Sequence, residues 1–126
     1  MTDIRGVVLD AGAFIALKRR DGTMVRLAKR FADAGTPLVT SAGVVAQVWR
    51  GGQRQVPIAF LLRRTTVVDL TYAVARVLGL MLGTSRRSDP VDAHIVLLAR
   101  ERRWPVISSD AQDLLALDPT LVIERI

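Results

Sequence analysis

Residues 89–110, "DPVDAHIVLLARERRWPVISSD", combine a helix and a strand in one stretch. Asp89 precedes Pro90, and an N-cap aspartate followed by proline at the first helical position is a strong helix-start signal. The predicted helix covers residues 89–103, and "WPVISS" (104–109) follows as a short, mainly apolar strand. A helix that leads directly into a buried strand is typical of proteins with parallel sheets.

The same alternation extends along the rest of the chain. Apolar runs predict strands over residues 4–10, 37–40, 65–70, 104–109 and 121–126, with helical segments between them. One of these helices is predicted over residues 42–50, ending at Gly51-Gly52. No two-residue hairpin signal separates any two of these strands. We therefore predict one domain over residues 1–126, of the α/β class, with three layers (α/β/α) and a central, mostly parallel sheet of four to five strands.

Composition restricts the chemistry that the chain can perform. The 126 residues include no Cys and one His, and the formal net charge is +6 at pH 7. A metal would therefore be held mainly by oxygen, which favours Mg2+ or Mn2+. The positive charge indicates a polyanionic partner, nucleic acid first and an acidic protein second. Because neither a signal peptide nor a membrane span is recognisable, we expect a cytoplasmic protein without membrane contact.

Several acids stand at the predicted ends of strands or starts of helices. Asp10 and Asp110 follow strands, Asp89 and Asp92 open a helix, and Asp113 lies three residues after Asp110. Each of them alone could be a helix cap. In a parallel sheet, however, the carboxyl ends of the strands share one edge, so Asp10, Asp92 and Asp110 are expected to converge there. Two carboxylates ~4 Å apart repel by about 4 kcal/mol at an effective dielectric constant near 20, so such a group needs a cation, a proton or an arginine such as Arg86 or Arg87.

Three stretches resemble the acidic motifs of PIN-domain ribonucleases of the VapC toxin type: "VVLDAGAFIAL", "TSAGVVAQVWRGG" and "DPVDAHIVLLARERRWPVISSDAQDL". The resemblance covers almost the whole chain, and its most specific part is the last stretch. It implies a Mg2+- or Mn2+-dependent endoribonuclease in which Asp10, Asp92 and Asp110 are the catalytic, metal-binding acids and Asp113 is an accessory acid. Asp89 lies one turn before Asp92 and could face the same site. The resemblance also implies a homodimer and a cognate antitoxin protein.

One position departs from the family pattern. The second motif usually has a Glu where this chain has Gln47, whose amide oxygen can ligate a cation but brings no charge. The alternative function is therefore a catalytically weakened or silent PIN-like module that binds RNA or an antitoxin. A phosphorylated receiver domain and a nucleotide-binding module are less well supported, because only one acid follows the first strand and no Gly-rich phosphate loop is present.

Basic side chains near the predicted loops could hold the RNA backbone through salt-sensitive contacts. These candidates are Lys18, Arg19, Arg50, Arg54, Arg86 and Arg87. Four other basic residues are interpreted as solvated helix ends: Lys29, Arg30, Arg100 and Arg102. Thr40 and Ser41 could orient a metal-bound water, although capping is the more ordinary role for Ser41. His94 is interpreted as structural or surface-exposed, and Trp49 and Trp104 as packing or dimer contacts.

Overall fold

The computed structural model describes residues 5–126, so the predicted strand start at Ile4 lies outside the described residues. Five strands are present: β1 (Val7–Leu9), β2 (Leu38–Ser41), β3 (Thr65–Val68), β4 (Val106–Ser108) and β5 (Ile123–Arg125). Seven α-helices occur in the described part: α1 (Ala11–Lys18), α2 (Gly22–Ala34), α3 (Ala42–Val48), α4 (Val56–Arg63), α5 (Tyr72–Gly83), α6 (Pro90–Arg102) and α7 (Ala111–Leu117). None of the helices within residues 5–126 has the length and apolar character that crossing a membrane requires.

The five strands form one parallel sheet in the order β3-β2-β1-β4-β5. The chain moves outward from β1 to β3, then returns through α5 and α6 and continues with β4 on the other side of β1. The strand order therefore reverses between β1 and β4, and this is where open parallel sheets bind ligands. The predicted three-layer α/β/α fold with a central parallel sheet is confirmed.

The core lies around the three central strands. All residues of β1, β2 and β4 are buried, whereas the edge strands β3 and β5 are partly exposed. Helix α6 is buried over most of its first three turns, from Ala93 to Ala99. Because α6 has apolar neighbours on several sides, its apolar residues run almost continuously instead of forming one stripe. Its N-terminus is thereby held firmly against the sheet.

The structure differs from the sequence prediction between α3 and α4. Helix α3 ends at Val48, and Trp49 is already extended (φ −80°, ψ 128°), so the predicted helical continuation to Arg50 is wrong. Gly51 and Gly52 follow with positive φ, which other residues rarely adopt. A short 3-10 helix over Gln53–Gln55 then leads into α4 and was not predicted. Such short 3-10 segments depend on local turn geometry, which hydrophobic periodicity does not detect.

Helix α1 lies close to the residue after β4, and this contact leads us to predict how a substitution at Gly12 changes the stability of the protein. A Cβ atom on Gly12 would overlap the Ser109 hydroxyl and lie 2.9 Å from the Ser109 backbone nitrogen. We expect Gly12→Ala to destabilise the protein by about 1–3 kcal/mol, because overpacking outweighs the better helix propensity of Ala. Gly79→Ala is the matched control, since Gly79 lies inside α5 with open space around it and should gain about 0.5–1 kcal/mol.

Urea unfolding of both glycine variants measures these changes. Equal stabilisation of both would show that α1 can move away from β4 without cost, contrary to the packing seen here.

Candidate functional site

The site is built at the carboxyl edge of the sheet, where β1 and β4 lie side by side. Asp10 follows β1 directly, and Asp110 comes two residues after β4. Leu9 pairs with Ile107 in the sheet register, and the Asp10 backbone N–H donates to the Ile107 carbonyl. One hundred residues of chain thus separate two aspartates that the sheet brings to adjacent strand ends.

Asp10 is buried and held by two hydrogen bonds. Its Oδ1 accepts from the Ala11 backbone N–H at 2.8 Å, and its Oδ2 accepts from the Ser108 hydroxyl at 3.0 Å. Burial raises the pKa of the Asp10 carboxyl, and these two hydrogen bonds offset only part of the effect. Ser108 had not been identified from the sequence. The sequence feature that could have identified Ser108 is its position as the last residue of β4, the strand next to β1 and Asp10.

Asp92 lies in the first turn of α6, and the charges of four other aspartates act on it. Burial is the first cause that raises the pKa of Asp92 to about 7, and the negative charges of Asp89, Asp10, Asp113 and Asp110 follow in that order. Asp89 is the N-cap of α6, as predicted, and its Oδ1 accepts from the Val91 N–H at 2.8 Å. These five aspartates share one electrostatic environment, and we refer to them below as the acidic cluster.

Asp110 does not act as a helix cap, the ordinary alternative to a role in the site. It occupies the N-cap position of α7, but its side chain makes no capping hydrogen bond there. A hydrogen bond shared with the Asp113 side chain is the main reason why the pKa of Asp110 is raised, followed by desolvation and the charge of Asp113. A proton shared between these two carboxylates is thus one way in which the fold reduces their repulsion.

An arginine also compensates part of the charge. Arg87 Nη1 lies 3.0 Å from Asp113 Oδ1, and both side chains are about half exposed. An ion pair in this environment contributes only about 0–1 kcal/mol. The arginine therefore neutralises the outer edge of the acidic cluster and leaves Asp10 and Asp92 uncompensated.

A buried hydrogen bond ties the second strand to α6. Ser41 caps α3 by accepting from the Gly43 N–H at 3.0 Å, and its Oγ lies 2.6 Å from His94 Nδ1. The pKa of His94 is lowered, mainly by burial, which favours a neutral ring whose Nδ1 shares this hydrogen bond with the Ser41 hydroxyl. The hydroxyl of Thr40 donates to the Leu9 carbonyl at 2.6 Å. The Thr40 hydroxyl proton is thus used inside the sheet, and the role of Thr40 in orienting water stays a prediction.

The acidic cluster offers the right atoms for a hard cation. Within residues 5–126, no three carboxylate or imidazole groups are arranged as a ready-made cage for one ion. Mg2+ does not need such a cage, since it commonly uses one or two carboxylates and keeps several waters. Burial is the main cause of the raised pKa values of Asp10 and Asp92, and the charges of the other acids raise the pKa values of Asp10, Asp92 and Asp110 further. Donor chemistry and charge both fit Mg2+ or Mn2+.

The other predicted site residues lie in varied surroundings. Gln47 is exposed on α3. Arg50 donates to the carbonyls of Ala46 and Trp49, at the end of the same helix. Arg19 lines a small cleft beside Gly12 and Ser109. The remaining predicted RNA-binding residues are exposed: Lys18, Arg54 and Arg86.

Fold and site together define an α/β protein whose acids gather where the strand order of a five-stranded parallel sheet reverses. The sequence model of the PIN domain matches residues 7–117, and the chain belongs to the PIN domain family, as its motifs predicted. PIN domains are in general nucleases.

Two solved structures have similar folds. The chain resembles the structure of FitAB bound to the IR36 DNA fragment, with a TM-score of 0.65, 15% identity and 94% of each chain covered. It also resembles FitAcB from Neisseria gonorrhoeae, with a TM-score of 0.63, 15% identity, and coverage of 93% of this chain and 95% of that chain. At this identity the likeness shows the fold alone. No curated protein sequence matches the chain.

Proposed function

We propose that this PIN domain is a Mg2+- or Mn2+-dependent endoribonuclease and the toxin of a toxin–antitoxin pair. The observation that carries the proposal is the acidic cluster. Aspartates from three separate segments come together at the strand-order reversal, where burial first, and then the charges of the other four acids, raise the pKa of Asp92 to about 7. A fold that keeps uncompensated carboxylates together in this way is suited to bind a divalent cation.

The proposal divides the five aspartates into metal ligands and accessory acids. Asp10, Asp92 and Asp110 would hold the cation, with Asp89 and Asp113 as accessory acids. When bound, Mg2+ or Mn2+ supplies polarisation of the scissile phosphate and a water of lowered pKa. Ser108 positions Asp10 by donating to its Oδ2. Asp92 must lose its proton to act as a ligand, so it is in its binding form above a pH of about 7.

The basic residues supply affinity for the substrate. We propose that the RNA backbone contacts six exposed basic residues: Lys18, Arg19, Arg50, Arg54, Arg86 and Arg87. Arg87 would exchange its half-exposed ion pair with Asp113 for a phosphate oxygen when cation and RNA arrive. Contacts of this kind hold the strand without reading its sequence.

The experiment that tests the proposal is cleavage of end-labelled RNA by pure protein. We expect fragments with Mn2+ or Mg2+ and none with EDTA. A DNA oligonucleotide of the same sequence belongs in the assay, because the FitAB complex with a similar fold is bound to DNA. Cleavage of DNA alone would correct the substrate, and cleavage that persists in EDTA would contradict the metal requirement.

We also propose a homodimer and a cognate antitoxin, both in the cytoplasm. Helix α5 supports a protein contact, because Tyr72 is 79% exposed and Leu80 is 76% exposed. Val77 on the same helix is also exposed, and Arg76 is its single charged residue. Exposed apolar side chains concentrated on one helix are typical of a surface that another protein covers.

Gln47 supports a second candidate function, a PIN domain with weakened chemistry that binds RNA or an antitoxin. If the missing carboxylate limits metal affinity, Gln47→Glu should raise Mn2+ affinity roughly 10-fold by restoring the negative charge of the family pattern at this position. Gln53→Glu is the control with the same chemical change, because Gln53 is an exposed residue of the 3-10 helix. Calorimetric titration with Mn2+ and the cleavage rate are the measurements.

The two variants separate the candidate functions. An inactive natural protein that gains cleavage only through Gln47→Glu would establish the weakened module. An unchanged affinity in Gln47→Glu would remove Gln47 from the site.

A further inference from the structure

A cleft of about 1090 Å³ lies at the edge of the sheet opposite the acidic cluster. Its walls come from the residues before β1 and β4, the C-terminal end of α6 and the loop that leads into β5. Because the five strands are parallel, residues that precede strands and residues that follow them lie at opposite edges. The cleft is therefore separate from the proposed catalytic site. We call it the basic cleft, after its arginines Arg5, Arg100, Arg102 and Arg103.

The basic cleft has more positive than negative charge. Asp118 is the acid among its lining residues, and it is buried and engaged within the fold. Its carboxylate accepts from the Thr120 N–H and hydroxyl and pairs with Arg100 Nε at 3.3 Å, and these contacts lower the pKa of Asp118. Arg102 and Arg103 add positive charge to the same concave surface, which favours binding of an anion.

Trp104 adds an aromatic surface beside these arginines. A Cβ atom on Gly6 would overlap the indole ring, so glycine at this position lets the ring lie against the start of β1. The ring is only partly buried, and the Arg102 guanidinium lies 5.9 Å from its centroid. Arginines beside a partly exposed aromatic ring are the combination that binds single-stranded nucleic acid, through phosphate contacts and base stacking.

The helix dipole explains only part of this arrangement. Basic residues are stabilised at a helix C-terminus, which accounts for Arg100 and Arg102 as helix residues. Arg103 lies beyond α6 with φ 58° and still lines the cleft, and the dipole has no bearing on Trp104. The interpretation of Arg100 and Arg102 as solvated helix ends did not include the cleft, because this surface forms only when three separate segments meet.

We propose that the basic cleft binds a single-stranded segment of RNA, with Arg102 and Arg103 at phosphates and Trp104 against a base. This second contact lies away from the proposed cleavage site and would hold an RNA long enough to reach both edges of the domain. The inference rests on the proposed function only in taking RNA as the ligand. Binding at the cleft needs neither the acidic cluster nor a metal.

Fluorescence anisotropy with a labelled 12-nucleotide single-stranded RNA in EDTA tests the proposal. Arg102→Gln combined with Arg103→Asn should weaken binding on the order of 10-fold, and asparagine tolerates the left-handed backbone at position 103. The slope of log K against log salt should fall by about 1.4, since each phosphate contact to a single strand contributes about 0.7. Trp104→Leu should weaken binding while keeping that slope.

The control removes the same charge elsewhere. Arg26→Gln combined with Arg30→Gln changes two exposed arginines on α2 and should leave affinity within about 3-fold, because nonspecific attraction depends weakly on any two charges. Equal losses in both double variants, or no loss in either, would overturn the proposal. Equal competition by a polyglutamate peptide of matched charge would reassign the cleft to an acidic protein. Cleft-dependent RNA binding without any cleavage would leave this inference intact and remove the proposed nuclease activity.

Discussion

Asp92→Asn is expected to reduce metal-dependent RNA cleavage by roughly 100-fold or more while the protein stays folded. Loss of a group that merely supports a metal ligand costs about 10–100-fold, so loss of a ligand should cost at least as much. Asn keeps the size of Asp92 and removes a charge that four neighbouring aspartates repel. We therefore expect the substitution not to destabilise the folded protein.

Initial rates on labelled RNA with Mn2+, at equal protein concentration, provide the measurement. Asp33→Asn is the matched control, because Asp33 is exposed on α2 and the substitution is the same. Full activity in Asp92→Asn would separate Asp92 from the chemistry. A parallel loss in Asp33→Asn would point to contaminating nuclease or to a global effect.

Without metal, the protein is expected to become less stable as pH rises from about 4 to about 7. The pKa of Asp92 is 3.8 in the unfolded chain and about 7 in the folded one, so the folded state binds more protons in this interval. Stability falls with pH wherever the folded state holds the extra proton, and the loss is complete above a pH of about 7. The raised pKa values of Asp10 and Asp110 act in the same direction.

Thermal unfolding of the natural protein and Asp92→Asn at pH 4.5 and 8 measures this effect. We expect Asp92→Asn to melt at a higher temperature at pH 8 and at nearly the same temperature at pH 4.5. Saturating Mn2+ should reverse the loss in the natural protein, because ligand at 100 times its dissociation constant adds about 2.7 kcal/mol of stability. Stabilisation by Mn2+ that is equal in the natural protein and in Asp92→Asn would place the ion elsewhere.

Asp118 provides an internal control with the opposite sign. Its contacts with Thr120 and Arg100 lower its pKa, so its contribution to stability is present at neutral pH and is lost as pH falls through its folded-state pKa. Asp118→Asn should therefore lower the melting temperature at pH 8 and leave the response to Mn2+ unchanged. This contrast separates the acidic cluster from acids that are simply paired.

Much of the architecture could be predicted because it depends on local pattern. The apolar runs of β1, β2 and β4 are buried on both faces of the sheet, and Asp89-Pro90 starts α6 as their types predict. Ser41 also caps its helix as expected. The end of α3 was predicted wrongly, because two glycines with positive φ shape the loop after it.

Roles of single side chains were harder to predict than their positions. Asp110 has the position of a cap, yet its carboxyl interacts with Asp113 instead. Thr40 has the position of a site residue, yet its hydroxyl is bonded to the Leu9 carbonyl. The role of Ser108 could not be predicted, because a serine at a strand end has no distinguishing feature until its hydrogen-bond partner, Asp10, is known. Each of these outcomes depends on an atom contributed by another part of the chain.

The sequence by itself determined the class of fold and the candidate aspartates, because hydrophobic periodicity and helix-start signals act over a few neighbouring residues. The resemblance of its three motifs indicated the family. Only the tertiary structure decided which carboxylates interact with one another. It also decided that burial and these interactions raise the pKa of Asp92 to about 7, and that Arg87 pairs with Asp113. It also formed the basic cleft from three separate segments. Electrostatic interaction and desolvation depend on distances in space, and these exist only after the sheet has assembled.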